Sequence, residues 1–403
     1  MADTPWLTIV GIGEDGAAGL SDAAKAAIAA ADIVTGAARH LALMPDLAGE
    51  GKAERRPWPV PFESGIDALL AERGRAVVLF ASGDPFWYGA GTSVTRHLSP
   101  DEWVAHPALS TFTLVAARLG WGIETTACLG LHAAPLTRLR RHAVPGARAI
   151  VLVRDGAAVR ALAEYLSDLG FGASRMHVLE AIGGPRERHR ETTAATFGLD
   201  DVAHPVAVGI VFAGAGAVMP RASGLEDSWF AHDGQITKRP VRALTLSALA
   251  PRPGERLWDI GAGSGSVGIE WLLADPSMQA LAFEADPVRA ARARANAATL
   301  GAERLEVIEG RAPAVLAGHA PPDAVFIGGG LSHALLTELW ATLPAGTRLV
   351  ANAVTLESEA LLGEWHAVHG GTLLRIELAE AVPLGTRRGW QARYPVVQWS
   401  VVL

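Results

Sequence analysis

The sequence is almost without cysteine: Cys128 is the only one in 403 residues. A single thiol builds neither a disulfide framework nor a multi-cysteine zinc site, so no metal is expected. The count fits a reducing compartment. Lysine is nearly missing too, at Lys25, Lys52 and Lys238 alone, so almost all positive charge is arginine. A GC-rich genome, which enriches Arg, Ala and Gly together, explains that bias; so does the use of planar guanidinium forks to bind carboxylates, and both can hold. Positive charge is also in deficit. There are 35 Lys and Arg against 42 Asp and Glu, a net charge of −7, which argues against a globally basic nucleic-acid binder. A membrane-spanning run is lacking. The longest uncharged stretch, His204 to Pro220, contains Gly209, Gly214 and Gly216, and reads as a buried strand followed by a glycine-rich loop. The first residues carry Asp3 and no basic region, so no secretory leader is expected. The expectation is a cytoplasmic protein with no nucleic-acid or membrane partner.

What is present is an ordinary globular balance, 50% hydrophobic and 19% charged. At roughly 150 residues per domain, the length suggests two or three domains. Apolar β-rich runs alternate with Ala-rich helical runs. Trp6–Val10, Asp32–Thr35 and Ala76–Ala81 read as strands, and Asp22–Ala31 as a helix. The alternation implies an α/β architecture with largely parallel pairing. A second pattern starts after position 220. Strands are expected at Arg256–Ile260, Ala280–Phe283, Leu305–Ile308, Ala324–Ile327 and Arg348–Ala353, with helices at Val267–Ala274 and Pro287–Leu300. Thr372–Leu378 and Val396–Val402 are two late strands joined by a polar, Arg-rich loop, which suggests an antiparallel edge pair. The boundary falls near Arg221–Gly224, giving domains 1–220 and 225–403. The halves share no period, so they are different units joined in one chain.

Three loops of the first half could carry chemistry. Gly11-Ile-Gly13-Glu-Asp-Gly16 follows a strand and precedes a helix, as a dinucleotide turn does. The next strand ends Val34-Thr35-Gly36, without the acid that would hold a ribose. A plain tight turn and another nucleoside-type cofactor remain open. Ser82-Gly83-Asp84-Pro85 and Trp87 lie at a strand end, as a turn or as a ligand loop. Ser110 and Thr111 either bond a ligand or cap the helix that follows.

The strongest pattern is Asp259-Ile-Gly261-Ala262-Gly263-Ser264-Gly265 at one strand end, with Glu284 ending the next strand, 19 residues beyond Gly265. Glycines let the backbone approach a nucleoside, and the acid accepts both ribose hydroxyls. S-adenosylmethionine and NAD compete for such a loop. Asp259 near the loop, able to balance a cationic methionine end, and the late antiparallel strands favour the former. His132, His177 and His232 read as surface or core histidines, and no histidine pair has zinc-helix spacing. Arg387 and Arg388 are a solvated loop tip or a carboxylate clamp.

On these residues the chain resembles two methyltransferase families. Val10–Gly13, Ser82–Pro85 and Pro107–Thr111 resemble the cofactor loops of the class III tetrapyrrole methylases, and Leu131-His132 and Glu180–Arg188 resemble the branch that methylates C5 of a corrin precursor. Asp233–Lys238, Asp259–Gly265, Glu309–Pro313, Phe326–Gly330 and Asn352–Glu357 resemble the class I decarboxylating C15 methylases. Together they cover nearly the whole chain, in the order of the fused enzymes of cobalamin biosynthesis. The resemblance implies a two-lobed class III fold followed by a Rossmann-like class I domain, each half binding one S-adenosyl-L-methionine. It implies an anionic tetrapyrrole substrate, precorrin-6B, methylated at C5 and C15 with loss of a ring C acetate as CO2, and a homo-oligomer. It carries cofactor binding onto Thr237, Gly261 to Gly265, Glu284 and Ala312 in the second half, and onto Gly11, Gly13, Gly83, Asp84, Trp87, Ser110 and Thr111 in the first. Arg239, Arg242, Arg387, Arg388 and His132 are the expected holders of substrate carboxylates. No catalytic residue is assigned: methyl transfer needs no strong general base, because the electron-rich macrocycle is itself the nucleophile, and the decarboxylation is given no acid or base. The chain departs from the family patterns at Glu14, where the turn usually has Pro, and at Arg311, where an acid usually precedes Ala312.

Overall fold

A computed structural model describes residues 5–45 and 53–403; the Asp3 segment and Lys52 lie outside them. The chain divides into two compact units. One takes the chain up to Ala134 together with His142–Ala217; the other takes Val218–Leu403 and the short excursion Pro135–Arg141.

The first unit opens with β1 (Leu7–Ile12), α1 (Asp22–Ala29), β2 (Ile33–Gly36), α2 (Ala38–Ala42), β3 (Glu54–Pro57), α3 (Ile66–Leu70), β4 (Val77–Ser82), α4 (Ala90–Thr95) and β5 (Trp103–His106). The strands form one parallel sheet in the order β3-β2-β4-β1-β5. Successive apolar residues point to opposite faces. Val10, Ile12, Val78 and Phe80 therefore meet α1 and α2 through Ile28 and Leu41, while Leu7, Ile9, Val77 and Leu79 meet α3 and α4 through Leu69 and Val94. A parallel sheet covered on both faces is what continuous apolar strands require. Ser21 starts α1 by accepting a hydrogen bond from the Ala24 amide.

A second sheet follows from α5 (Thr111–Leu119), β6 (Thr126–Gly130), β7 (Arg148–Val153), α6 (Gly156–Asp168), β8 (Arg175–Glu180), β9 (Arg188–Thr193) and β10 (Val206–Val211). Its order is β6-β7-β10-β8-β9, and only β6 and β7 run parallel; β10 is antiparallel to β7 and β8, and β8 to β9. Largely parallel pairing thus holds for the first sheet and fails for the second. The reason lies in the connections: β8 and β9 are joined by seven residues with no helix between them, too few for a parallel crossover. The uncharged run supplies β10 and the loop beyond it, as its glycines suggest.

The second unit contains α7 (Arg239–Leu249), β11 (Arg256–Ile260), α8 (Ser266–Ala274), β12 (Gln279–Glu284), α9 (Pro287–Leu300), β13 (Leu305–Glu309), β14 (Ala324–Ile327), α10 (His333–Thr342), β15 (Arg348–Ala353), α11 (Leu356–His369), β16 (Thr372–Ile376), β17 (Ala379–Leu384), β18 (Arg387–Ala392) and β19 (Val396–Val402). The seven-stranded sheet runs β13-β12-β11-β14-β15-β19-β16. Its first five strands are parallel; β19 is antiparallel to both β15 and β16, which makes the expected edge pair. Leu257, Ala280 and Phe326 pack on α7, α8 and α9, and Trp258, Leu281 and Val325 on α10 and α11. Asp286 caps α9 through the Val288 and Arg289 amides, with Pro287 in its first turn.

Two expectations fail here. The Arg-rich loop between the late strands is a β-hairpin, β17–β18. Arg242 is no surface clamp: it is wholly buried. Its Nε donates to Glu270 Oε1 at 2.6 Å, and its other nitrogens reach Asp227 at 3.2 Å and the carbonyls of Thr237 and Leu225. Glu270 also accepts from the Gly224 and Leu225 amides at 2.6 and 3.0 Å. The guanidinium ties the entry segment to α7 and α8 and has no face left for a ligand. Removing one partner of a buried pair strands the other. Arg242→Met is therefore expected to destabilise the second unit by about 3–5 kcal/mol, against roughly 0.5 kcal/mol or less for Arg387→Met on the exposed hairpin. Urea unfolding of the full chain, followed by tryptophan fluorescence, checks the contrast.

Candidate functional site

The glycine loop of the second unit leaves the carboxyl end of β11 and turns into α8. Gly261, Gly263 and Gly265 have φ of +70°, +58° and +74°, values that favour residues without a Cβ. The Gly261 amide donates to Phe283 O at 2.9 Å, and a Cβ on Gly261 would stand 2.6 Å from the Gly329 nitrogen. A Cβ on Gly263 would meet only Gln235 O, at 3.9 Å. The loop is thus packed beneath and open above.

Two carboxylates hold it. Glu284, buried at the end of β12, accepts from the Gly263 amide at 2.7 Å through Oε2 and from the Asp286 amide at 2.9 Å through Oε1. Asp259 Oδ2 accepts from the Gly268 amide at 2.9 Å, while its buried Oδ1 has no partner among the described residues. Burial pushes the Asp259 carboxyl up to about 7, with Glu284 adding to the rise and the Gly268 amide opposing it. Asn296 bonds Ser264 O and Ala231 O at 2.9 Å each, so the Asp233–Lys238 segment is anchored beside the loop. Thr237 lies there through its carbonyl on Arg242. The Gly310 amide donates to Glu284 O at 2.9 Å, bringing the loop with Arg311 and Ala312 next to Glu284.

The structure therefore gathers Thr237, Gly261, Ala262, Gly263, Ser264, Gly265, Glu284 and Ala312 at the carboxyl ends of β11, β12 and β13. This is where ligands bind in open α/β sheets. Buried Oδ1 of Asp259 and Oγ of Ser264, both unpartnered among the described residues, and the open space over Gly263 fit a nucleoside-bearing cation. Arg311 is exposed.

In the first unit, Gly11, Gly83 and Ala108 meet backbone to backbone. A Cβ on Gly11 would lie 2.0 Å from Gly83 O and 2.5 Å from the Ala108 nitrogen. Gly13 sits two residues on, in the turn. Gly83 has φ +52°, and Asp84 Oδ1 accepts from the Phe86 amide at 2.8 Å. Trp87 packs on Phe112 at 4.8 Å between ring centroids, leaving one face open. Ser110 caps α5 through the Thr113 amide at 3.1 Å, and Thr111 is the first residue of that helix. The capping alternative for the Ser110 hydroxyl is what the geometry shows.

Glu14, the departure from the usual Pro, is buried and bonds Arg39 and, at 3.2 Å, Arg186. Arg39 and His40 both reach Ser82 Oγ, at 3.0 and 2.9 Å. Burial and the neighbouring Arg39 hold His40 down at about 4. Sequence reasoning missed this cluster, since residues 14, 39, 40, 82 and 186 share no local pattern. Its one signal was the acid at position 14. Arg186 and Gly184, which would crowd Glu14 if it had a Cβ, tie the Glu180–Arg188 motif to the first glycine turn.

The remaining substrate candidates are dispersed. Arg239 is exposed and pairs with Glu226. Arg387 and Arg388 lie on the exposed hairpin strand β18. His132 is exposed beyond β6. No group of three metal-ligating side chains occurs among the described residues, and none of their helices is long and apolar enough to cross a membrane.

Residues 6–198 match the model of the tetrapyrrole (corrin/porphyrin) methylases, and 228–403 that of the precorrin methyltransferase domain. A Sinorhizobium protein named precorrin-6Y C(5,15)-methyltransferase (decarboxylating) is 50% identical over 98% of this chain and 96% of its own. The chain belongs to that family. A Mycobacterium tuberculosis member is 41% identical over 98% of this chain and 99% of its own. The crystal structure of the C-terminal domain of the Rhodobacter capsulatus precorrin-6Y C5,15-methyltransferase is 55% identical, covering 46% of this chain and all of that one, with a TM-score of 0.45. As a member of this family the chain is a methyltransferase and decarboxylase of cobalamin biosynthesis that uses S-adenosyl-L-methionine.

The raised Asp259 carboxyl gives a signed pH dependence. The folded state keeps a proton that the unfolded chain has already released between about pH 4 and pH 7. Stability of the second unit is therefore expected to fall as pH rises through that window and to level off above it. Asp259→Asn, whose Oδ1 still accepts from Gly268, should flatten the slope; urea unfolding at stepped pH reads it.

Proposed function

We propose that residues 1–220 methylate C5 and residues 225–403 methylate C15 and remove the ring C acetate of precorrin-6B, each with its own S-adenosyl-L-methionine. The observation that carries the reading is the Glu284 carboxylate set against the Gly263 amide at one strand end. When bound, the cofactor supplies a methyl group carried on a positively charged sulfur. Glu284 keeps lone pairs for the two ribose hydroxyls after accepting from Gly263 and Asp286. Asp259, beneath the loop, is placed to balance a cationic methionine end once ionised. Backbone of the Arg311–Ala312 loop takes the base, since Arg311 offers no acceptor for an adenine amino group. In the first unit, the apposed turns at Gly11, Gly83 and Ser110 form the corresponding cradle, with Asp84, Trp87 and Thr111 around it.

Both halves supply orientation and a shape that excludes water more than acid–base chemistry. Arg239, Arg387, Arg388 and His132 are exposed and available to anionic side chains of the macrocycle. The full chain is a homo-oligomer in this reading, as is common for soluble enzymes.

Full-length protein given S-adenosyl-L-methionine and precorrin-6B is expected to yield a product with two methyl groups gained and one CO2 lost, read by mass spectrometry. Glu284→Gln should weaken cofactor binding in the second half about 10- to 100-fold, as loss of a charged hydrogen-bond acceptor does. With cofactor held below the raised Kd, its product should then be methylated at C5 alone. A Glu284→Gln protein that still decarboxylates at the wild-type rate under that limiting cofactor overturns the assignment of that half.

A further inference from the structure

The second unit has a cavity of about 630 Å³ that the glycine loop does not explain. Its wall includes Leu273 near the end of α8 and Arg252 in the connection from α7 to β11. The glycine loop lies at the other end of α8, a helix of nine residues spanning about 13 Å. The cavity thus opens at the amino ends of the strands, away from Gly261–Gly265 and Glu284.

Its chemistry is one-sided. Arg141, Arg221 and Arg252 line it, and none of the three guanidiniums has an ion-pair or hydrogen-bond partner among the described residues. The only acid in the wall, Glu270, is consumed by Arg242 and two backbone amides. Burial lowers the Arg141 pKa, and Arg221 and Arg304 lower it further by repulsion, while Asp275 opposes them. Arg304 itself donates to the carbonyls of Leu272 and Asp275 at the end of α8. Between the arginines the wall mixes aliphatic side chains, Met219, Leu246 and Leu273, with the hydroxyls of Ser223 and Ser247, and no aromatic ring among the described residues lines it. Three guanidiniums on one wall, two of them exposed to solvent and Arg141 near enough to Arg221 to feel its charge, suit an organic oxyanion, and the aliphatic patches suit an apolar body. Without a ring to stack on, a nucleotide base gains little there.

We infer that this cavity is a second, non-catalytic site for a polycarboxylate tetrapyrrole, held by Arg141, Arg221 and Arg252 at the end of the sheet opposite the methyl-donor loop. The choice of a tetrapyrrole rests on the function proposed above; the oxyanion chemistry rests on the arginines alone. Such a site would retain a macrocycle on the protein between reactions while the donor loop is free.

Equilibrium dialysis of the full chain against uroporphyrin III, an octacarboxylate tetrapyrrole, counts the sites. Arg221→Glu/Arg252→Glu should weaken one class of site at least about tenfold, and Ser247→Trp, at the cavity wall, should block the same class without changing charge. S-adenosyl-L-methionine binding and the thermal midpoint of both variants should match wild type, which separates loss of the site from misfolding. An isotherm unchanged in both variants overturns the inference and leaves the arginines serving the carbonyl ends of α7 and α8. Displacement of the arginine-dependent class by ATP or inorganic phosphate at equal concentration makes the occupant a phosphate and overturns it as well. Precorrin-6B turnover on the same samples is scored separately: failure of turnover with the arginine-dependent class intact counts against the proposed function and not against this site.

Discussion

Everything at the candidate site of the second unit depends on carboxylates at strand ends accepting hydrogen bonds from the backbone of the next turn. Glu284 and Asp259 sit on adjacent parallel strands, and between them they fix Gly263 and Gly268. These bonds, with the Gly261 amide on Phe283 O, hold the loop from Gly261 to Gly265 against the end of β12. The same contacts explain why those glycines are tolerated. Their entropic disadvantage in folding is set against the approach of Gly261 to Gly329, which a Cβ would block. Asp259 bears the cost of this arrangement, since a buried carboxyl with one oxygen unpartnered among the described residues is driven toward its neutral form.

The first unit reaches a similar result with less charge. The end of β1 interlocks by backbone contact with the turns after β4 and β5, Gly11 against Gly83 and Ala108. The charge that is there lies at Glu14, whose two arginine partners come from α2 and from the segment before β9. A residue that breaks the usual pattern of the turn is therefore the one that joins it to the second sheet of its own unit.

Local signals account for most of the legible part. Strands β11 to β15 and helices α8 and α9 were readable within a residue or two, because each has an apolar run of the right period bounded by Gly, Pro or Asp. Ser110 was readable as a cap for the same reason. What escaped had no local signature. The β17–β18 hairpin is exposed along most of its length, so it lacks the alternation that marks a half-buried strand. The antiparallel order of the second sheet follows from which strands become neighbours, and periodicity does not encode that. The Glu14 cluster joins residues more than a hundred positions apart.

Arginine shows the limit most clearly. Arg239 and Arg242 stand three residues apart on one helix and look alike in the sequence, yet one is exposed and the other wholly buried. A guanidinium can be buried because its donors are numerous, planar and fixed, so a carboxylate and a few carbonyls satisfy it fully. The same geometry suits an incoming carboxylate. Residue type therefore cannot separate a structural arginine from a ligand-binding one, and the count of donors already engaged can. By that measure Arg242 is spent within the fold, while the guanidiniums of Arg141, Arg221 and Arg252 are unengaged among the described residues.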